Sequence, residues 1–143
     1  LELVRTVRGI KIYNDTTATT PEATIAALKA LGHSMSKLGD KRIVLIMGGS
    51  DKGLDMSGLV KKIPKYCKAV VFLSGTGTEK LKTTNYRLKT VTEYNNLKDA
   101  VYRAIKLAKK GGIILFSPAF ASFGMFKNEY DRGDKFVKLV KKL

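Results

Sequence analysis

Residues 42–53 have the sequence RIVLIMGGSDKG, an apolar run that ends in a glycine-rich polar segment. An unbroken run of Ile, Val, Leu and Met is typical of a strand buried on both faces of a helix-covered parallel sheet. The segment after it, residues 48–53 (the glycine loop), has the composition of a phosphate-binding loop, because glycines let backbone N–H groups approach an anion. It has neither the Walker spacing nor the dinucleotide fingerprint. Judged by its glycine content alone, the loop is equally well explained as a tight strand-to-helix turn. The charge of Lys52 favours binding.

Two further polar loops follow predicted strands. The threonine-rich loop, residues 14–20 (NDTTATT), follows a strand predicted at residues 10–13, and the serine loop, residues 117–122 (SPAFAS), follows one at residues 113–116. Because the carboxyl ends of parallel strands share the edge of the sheet where ligands bind, we expect all three loops to meet in one site. Capping a helix uses only one or two polar side chains, and the remaining ones can bind carboxylate or phosphate. Ser122 is predicted to cap a short helix whose N–H groups form an anion site, with a proline turn as an equal alternative.

The rest of the chain predicts strands that alternate with helices. A helix is predicted to begin at Pro21, with either Thr20 or Thr19 as its cap, and Gly32 is predicted to end it or one of its turns. Alternation of strands and helices is typical of an α/β fold with a mostly parallel sheet, here a Rossmann-like three-layer sandwich with helices on both faces. The other predicted elements are a strand at residues 3–7 that forms a hairpin with the one at 10–13, strands at 69–73 and 88–91, helices at 57–63, 79–82 and 97–108, a helix from residue 129 onward, a plain turn at 74–78 and a polar connection at 34–41.

The composition fits one folded domain over residues 1–143. Hydrophobic residues make up 44% and charged residues 27% of the chain, which argues against disorder. No apolar run approaches the ~20 residues that span a bilayer. Cys67 and His33 are the only residues of their types, so a disulfide framework and Cys/His metal clusters are excluded, and a Ser–His–Asp triad has no support. We expect Cys67 to pack in the core and His33 to lie in an exposed loop.

The net charge of +15, from 27 Lys and Arg against 12 Asp and Glu, raises the expectation of an anionic ligand or nucleic acid. The lysines are scattered, and many fall on polar faces or in last turns of predicted helices, where cations complement the helix dipole. We therefore expect most of them on solvated helix faces. A basic nucleic-acid-binding α/β module remains an alternative, which needs a continuous basic patch with interleaved aromatic side chains.

Three blocks in order carry a resemblance to a known family. Residues 13–23 (YNDTTATTPEA), 48–53 (GGSDKG) and 117–133 (SPAFASFGMFKNEYDRG) together resemble the C-terminal domain of the Mur ligases. The resemblance implies a cytoplasmic bacterial enzyme of three domains, in which N-terminal UDP-binding and central ATPase domains precede this one. Its branch adds D-glutamate to UDP-N-acetylmuramoyl-L-alanine in peptidoglycan synthesis, through an acyl phosphate, and ATP and Mg²⁺ are bound mainly by the central domain. Since the chain begins at Leu1, already inside a predicted strand, we expect it to be a piece of such a protein.

The resemblance also implies roles for individual residues, with no catalytic residue and no metal ligand on this chain. The residues that correspond to D-glutamate-binding positions are Thr19, Lys52, Ser122 and Phe123, the last through its backbone. Those on the ATP side are Asn14, Asp15 and Thr17. Some members of the family have a lysine at the position of Thr17, and an aromatic residue at that of Glu129. A related ligase of the folylpolyglutamate type, with another amino acid, is an alternative, whereas a dinucleotide-binding oxidoreductase is disfavoured because no glycine fingerprint follows the first strand.

Overall fold

The computed structural model describes residues 1–36, 41–84, 86, 88 and 90–143, and the side chains of residues 34–36 lie outside the description. The strands in this part of the chain are β1 (Glu2–Val7), β2 (Ile10–Asn14), β3 (Ile43–Met47), β4 (Cys67–Leu73), β5 (Thr90–Tyr94) and β6 (Ile113–Phe116). They form one sheet in the order β1-β2-β6-β3-β4-β5. Only the β1–β2 hairpin is antiparallel, and the other neighbours pair in parallel. The predicted α/β class and mostly parallel sheet are therefore confirmed.

Helices cover both faces of the sheet. Their bounds are α1 (Pro21–Ser36), α2 (Ser57–Tyr66), α3 (Thr76–Leu81), α4 (Leu97–Leu107) and α5 (Glu129–Lys141). In β3, Leu45 packs in the cluster that contains residues of α1 and α2, whereas Ile46 packs in the cluster that contains residues of α4 and α5. Because successive side chains of a strand point to opposite faces, an all-apolar strand such as β3 requires a helical layer on each side. The result is the predicted three-layer sandwich.

Two helices extend beyond the positions where the sequence favoured an end. Helix α1 continues past Gly32, because this glycine serves close packing against α2: an added Cβ would lie 2.3 Å from Cδ1 of Tyr66. Helix α2 continues past Pro64 to Tyr66, with Leu59 and Ile63 buried beneath it. Tertiary packing of an apolar helix face outweighs the local signals of both residues.

Other local predictions were partly correct. The cap of α1 is Thr20, whose hydroxyl oxygen accepts the N–H of Ala23 at 3.3 Å, and His33 is exposed but in the last turn of α1 rather than in a loop. Helix α4 ends at Leu107, one residue before its predicted end, and β5 begins at Thr90 rather than at residue 88. Of the predicted connection at 34–41, residues 34–36 are helical and residues 37–40 lie outside the described residues.

Cys67 packs in the core, as predicted, and its complete burial raises the pKa of its thiol well above the ordinary value. Burial in apolar surroundings disfavours the thiolate, so this cysteine is an unreactive packing residue. No helix among the described residues has the length and apolar character needed to cross a membrane.

Candidate functional site

The glycine loop and the serine loop lie side by side at the carboxyl edge of the sheet. The N–H of Gly48 donates to the carbonyl oxygen of Pro118 at 3.0 Å. Further out, Ser50 and Ala121 form an isolated antiparallel bridge, with N–H···O distances of 2.9 and 3.3 Å. Paired backbone groups hold the two loops in one arrangement, so two of the three segments that the sequence predicted to meet are joined directly.

The threonine-rich loop joins the serine loop from the other side. The N–H of Ala119 donates to the carbonyl oxygen of Ala18 at 2.9 Å, and the Ser117 hydroxyl donates to Asp15 Oδ2 at 2.8 Å. The same Ser117 oxygen lies 2.9 Å from the Thr24 hydroxyl, which donates to the Ser117 carbonyl at 3.3 Å. These bonds fix the Asp15 carboxylate at the edge through its Oδ2 atom. The expected meeting of three loops is therefore what the structure contains.

Two glycines of the glycine loop are required because the chain that follows β4 packs closely against them. Gly48 and Gly49 have φ values of 125° and 147°, which L-residues rarely adopt. A Cβ on Gly48 would lie 2.2 Å from the carbonyl oxygen of Leu73, and the Gly49 carbonyl accepts the N–H of Gly77 at 2.9 Å. Residues 74–78 were predicted to be a plain turn, and this was wrong: they contain the start of α3 and support the glycine loop.

Asp51 and Lys52 have different surroundings although they are adjacent in sequence. Asp51 forms an ion pair with Lys80 of α3, accepts the N–H of Gly53 at 3.0 Å and donates its own N–H to Thr76 Oγ1 at 2.9 Å. The hydrogen bond from Lys80, followed by that from Gly53, lowers the pKa of Asp51 below its usual value. Lys52 is exposed and takes part in no ion pair within the described part of the chain. Its ammonium group is therefore available to an anionic ligand.

No helix begins at Ser122, so the interpretation of this residue as a helix cap was wrong. The chain forms a turn instead, in which the N–H of Phe126 donates to the Ser122 carbonyl at 3.1 Å. The Phe123 carbonyl accepts from the Ser50 hydroxyl, while its ring is 69% exposed. Phe123 borders a hollow of about 420 Å³ that is also lined by Ser50, Thr76 and Asn95. Ser122 itself is buried.

Arg132 of α5 is a buried residue of the site that sequence reasoning missed. Its side chain is 1% exposed and donates to Thr16 Oγ1, to the Thr16 carbonyl and to the Phe120 carbonyl at 3.1, 2.7 and 3.0 Å. Burial lowers the pKa of the guanidinium to about 10, so it remains charged at neutral pH. The available signal was its spacing: Arg132 lies four and eight residues before the buried Phe136 and Val140, on the same face of the helix.

A cleft of about 570 Å³ lies between the threonine-rich loop and α5. Asn14 and Thr17 line it together with Tyr130 and Lys138 of the helix. The cleft depends on a close approach of the two elements, since a Cβ on Gly133 would lie 2.5 Å from Cγ2 of Thr16. It therefore combines hydrogen-bonding side chains, an exposed aromatic ring and a cation at one end of the candidate site.

Comparisons with known proteins agree with this architecture. Residues 1–120 match the family described as Mur ligase, glutamate ligase domain. The chain belongs to this family. It is 42% identical over 98% of its length to the UDP-N-acetylmuramoylalanine--D-glutamate ligases of Roseiflexus sp. (strain RS-1) and of Borreliella afzelii (strain PKo), of which it covers 29% and 30%. It thus spans less than a third of the length of these curated relatives.

Two solved structures show the same fold. A crystal structure of a ligase domain from Haemophilus ducreyi 35000HP aligns with a TM-score of 0.63 at 19% identity, covering 96% of this chain and 97% of that one. The MurF ligase of Thermotoga maritima, in complex with ADP, aligns with a TM-score of 0.58 at 16% identity, covering 96% of this chain and 29% of that one. The matches do not favour the oxidoreductase or nucleic-acid alternatives.

In this Mur ligase domain the predicted site residues fall into two groups along one edge. Asn14 and Thr17 line the cleft beside α5. Lys52 belongs to the glycine loop, which the Ser50–Ala121 bridge joins to the chain that carries Ser122 and Phe123. Asp15 and Thr19 lie in the threonine-rich loop, which joins the serine loop between those groups. The described residues contain no group of three or more His, Cys, Asp or Glu that could hold a metal ion.

Proposed function

We propose that this chain is the amino-acid-binding C-terminal domain of an ATP-dependent ligase that adds D-glutamate to UDP-N-acetylmuramoyl-L-alanine. The observation that carries the proposal is the edge where three polar loops meet, with Lys52 exposed on one of them, in a domain that is 42% identical to curated D-glutamate ligases. The relatives are about three times as long as this chain, which agrees with N-terminal UDP-binding and central ATPase domains that precede residues 1–143 in the full protein.

D-glutamate is proposed to bind to Lys52, Thr19, Ser122 and Phe123. This amino acid carries two carboxylates, which require donors and at least one positive charge. The Lys52 ammonium supplies the charge, Thr19 and Ser122 supply hydroxyl groups, and Phe123 supplies its backbone N–H. Asp51 does not compete for Lys52 because it is paired with Lys80 and with the N–H of Gly53.

ATP is proposed to lie beside Asn14, Asp15 and Thr17. Asp15 can accept from ribose hydroxyls through its carboxylate, whose orientation is set by Ser117. Asn14 and Thr17 border the cleft beside α5 and offer amide and hydroxyl groups. Because no carboxylate cluster occurs among the described residues, we assign no Mg²⁺ ligand to this chain and place most of the ATP and Mg²⁺ contacts on the central domain.

The proposed reaction assigns positioning rather than bond-making to this domain. ATP phosphorylates the muramoyl-alanine carboxylate, and the D-glutamate amine attacks the acyl phosphate to give a tetrahedral intermediate, which releases phosphate and leaves the amide. The side chains of the carboxyl edge orient the amine donor, and closure onto the central domain excludes water from the acyl phosphate. Residues 1–143 alone are therefore expected to form no product.

The test uses the full-length protein and its Lys52→Ala variant. Loss of one charge-assisted contact of about 1.5–3 kcal/mol is expected to raise the KM for D-glutamate by roughly 10- to 100-fold, with the KM for ATP nearly unchanged. Lys98→Ala, an exposed lysine of α4, is the matched control and is expected to behave as the parent enzyme. An unchanged KM for D-glutamate together with an intact kcat contradicts the assignment of Lys52.

Substrate profiling separates this function from its alternative. With the muramoyl acceptor, D-glutamate is expected to support ADP release, and L-glutamate with a folate acceptor is expected to support none. The reverse preference would identify a folylpolyglutamate-type ligase. Product formation by residues 1–143 alone would contradict the assignment of catalysis to the other domains.

A further inference from the structure

A second concave site lies at the amino edge of the sheet, opposite the loops described above. It is a pocket of about 240 Å³ at the amino ends of β3, β4 and β6. We call it the amino-edge pocket, and its lining consists of Lys41, Arg42, Lys68, Lys109, Lys110 and Gly112. Five of these six residues are cations, and none of the described residues in the lining is Asp or Glu.

A change of register in the sheet places Lys68 in this pocket. Ile43 pairs with Cys67, but Val44 pairs with Ala69, so Lys68 is an extra residue of β4 at this point. As a consequence Cys67 packs in the α1/α2 cluster and Ala69 in the α4/α5 cluster, although a regular strand would place both on one face. Bulges of this kind re-aim a side chain and recur next to functional sites. A partly buried lysine in a strand with neighbours on both sides is otherwise costly.

The turn before β6 brings the other lysines to the same place. The Arg42 carbonyl accepts the N–H of Ile113 at 3.0 Å, which joins the entrances of β3 and β6. Gly112 fits only because it has no side chain, since a Cβ would lie 2.8 Å from the Lys109 carbonyl and 3.2 Å from that of Arg42. The backbone of Lys109 is thereby held against the entrance of β3.

Three surface lysines are paired with carboxylates, whereas two lysines of the pocket form no such pair within the described part of the chain. Lys80, Lys82 and Lys135 each form an ion pair with a carboxylate. In the described part of the chain, no ion pair involves Lys68 or Lys109. A cleft lined by one sign of charge focuses its field on a ligand of the opposite sign.

We propose that the amino-edge pocket binds a compact polyanion of two or three linked phosphate groups. The ammonium groups of the lining lysines act as point charges that suit phosphate oxygens. The small, concave shape favours a short phosphate chain over an extended polymer, which needs a continuous groove with stacking aromatic rings. The chain can belong to an inorganic polyphosphate or to a nucleotide. This site is separate from the carboxyl edge and does not depend on the proposed ligase function.

Calorimetric titration of the 143-residue chain with inorganic tripolyphosphate tests the proposal. The pocket variant Lys68→Gln/Lys109→Gln is expected to bind about tenfold more weakly or worse, because it removes two of the lysine charges that line the pocket. The control Lys98→Gln/Lys106→Gln removes the same charge from exposed positions of α4 and is expected to change affinity less than about twofold. A second pocket variant, Lys41→Gln/Lys109→Gln, leaves the bulge intact and guards against misfolding.

Two further measurements distinguish the amino-edge pocket from the carboxyl edge, and a free phosphate chain from a nucleotide. Lys52→Ala is expected to leave tripolyphosphate binding unchanged, and loss of binding in this variant would move the ligand to the carboxyl edge and overturn the proposal. Equal weakening of the pocket and control variants, or no binding by the parent chain, also overturns it. Metal-free ATP that binds more tightly than tripolyphosphate, and loses affinity in the pocket variants, identifies a nucleotide. Equal affinity identifies the phosphate chain alone. Binding of an oligonucleotide without tripolyphosphate contradicts the proposal.

Discussion

Replacement of Arg132 by methionine tests how the candidate site is held together. The guanidinium connects α5 to the threonine-rich loop through Thr16 and to the chain beside the glycine loop through the Phe120 carbonyl. Methionine keeps much of the apolar stem but removes all three hydrogen bonds. Two carbonyl groups then lose a charged donor in a region where Arg132 is 1% exposed. The loops are expected to lose both stability and fixed geometry.

The size of the effect follows from the contacts. Hydrogen bonds from a charged donor contribute about 1.5–3 kcal/mol each, and the penalty for burying a guanidinium offsets several kcal/mol of that sum. We expect a net loss of about 3 kcal/mol in the free energy of unfolding, which lowers Tm by roughly 10 °C for a chain of this length. Arg132→Lys keeps the charge but loses the planar fork, and is expected to be intermediate.

Urea unfolding of the 143-residue chain, followed by circular dichroism, measures this loss. The matched control is Arg103→Met in α4, because Nε of Arg103 is buried and has no hydrogen-bond partner among the described residues. That substitution removes an unsatisfied polar group and is expected to change stability by less than about 0.5 kcal/mol. Amide exchange at Ala119, whose N–H bonds to Ala18, is expected to accelerate in Arg132→Met. A loss below about 1 kcal/mol, with unchanged exchange, refutes the reasoning.

Three further predictions concern packing and pH. Gly32→Ala is expected to destabilise the chain by about 1–2 kcal/mol through its clash with the Tyr66 ring, and less in a Tyr66→Ala background, as a double-mutant unfolding cycle would measure. Because its partners lower the pKa of Asp51, the stabilisation from this carboxylate is present above the ordinary pKa of 3.8 and is lost as the pH falls below that value. The amide of Gly53, which donates to this carboxylate, is therefore expected to exchange faster on acidification, and unaltered exchange would contradict the prediction. Burial raises the pKa of Tyr86 from 10.0 to about 12, so stability is expected to fall as pH rises from 10 towards 12, and in Tyr86→Phe this fall should be smaller in urea titrations.

Local patterns in the sequence predicted much of the fold. The apolar run of β3 required burial on both faces, and the polar residues after β2, β3 and β6 were placed at one edge by the geometry of a parallel sheet. Boundaries were less accurate where a distant contact decides them. The continuation of α1 through Gly32 depends on a ring in α2, and no local signal carries that information.

In the candidate site, too, local sequence patterns were predictable and contacts between distant segments were not. Its edge and the polar character of its loops were predictable, since both follow from residue types and strand order. The role of α3 in bracing the glycine loop was not predictable, because residues 74–78 carry no charge and are typical of a turn. Nor was the function of Arg132, whose partners Thr16 and Phe120 lie in other segments of the chain.

The sequence by itself thus determined the layer architecture and the edge at which ligands can bind, because strand and helix periodicity and the turn residues are local properties. The tertiary structure alone decided which charged side chains are paired within the domain and which are available to a ligand. Asp51 is paired with Lys80 while Lys52 is not, and Lys68 is aimed into a basic pocket by a one-residue shift of register. These outcomes depend on distances between residues far apart along the chain, which only the packed fold sets.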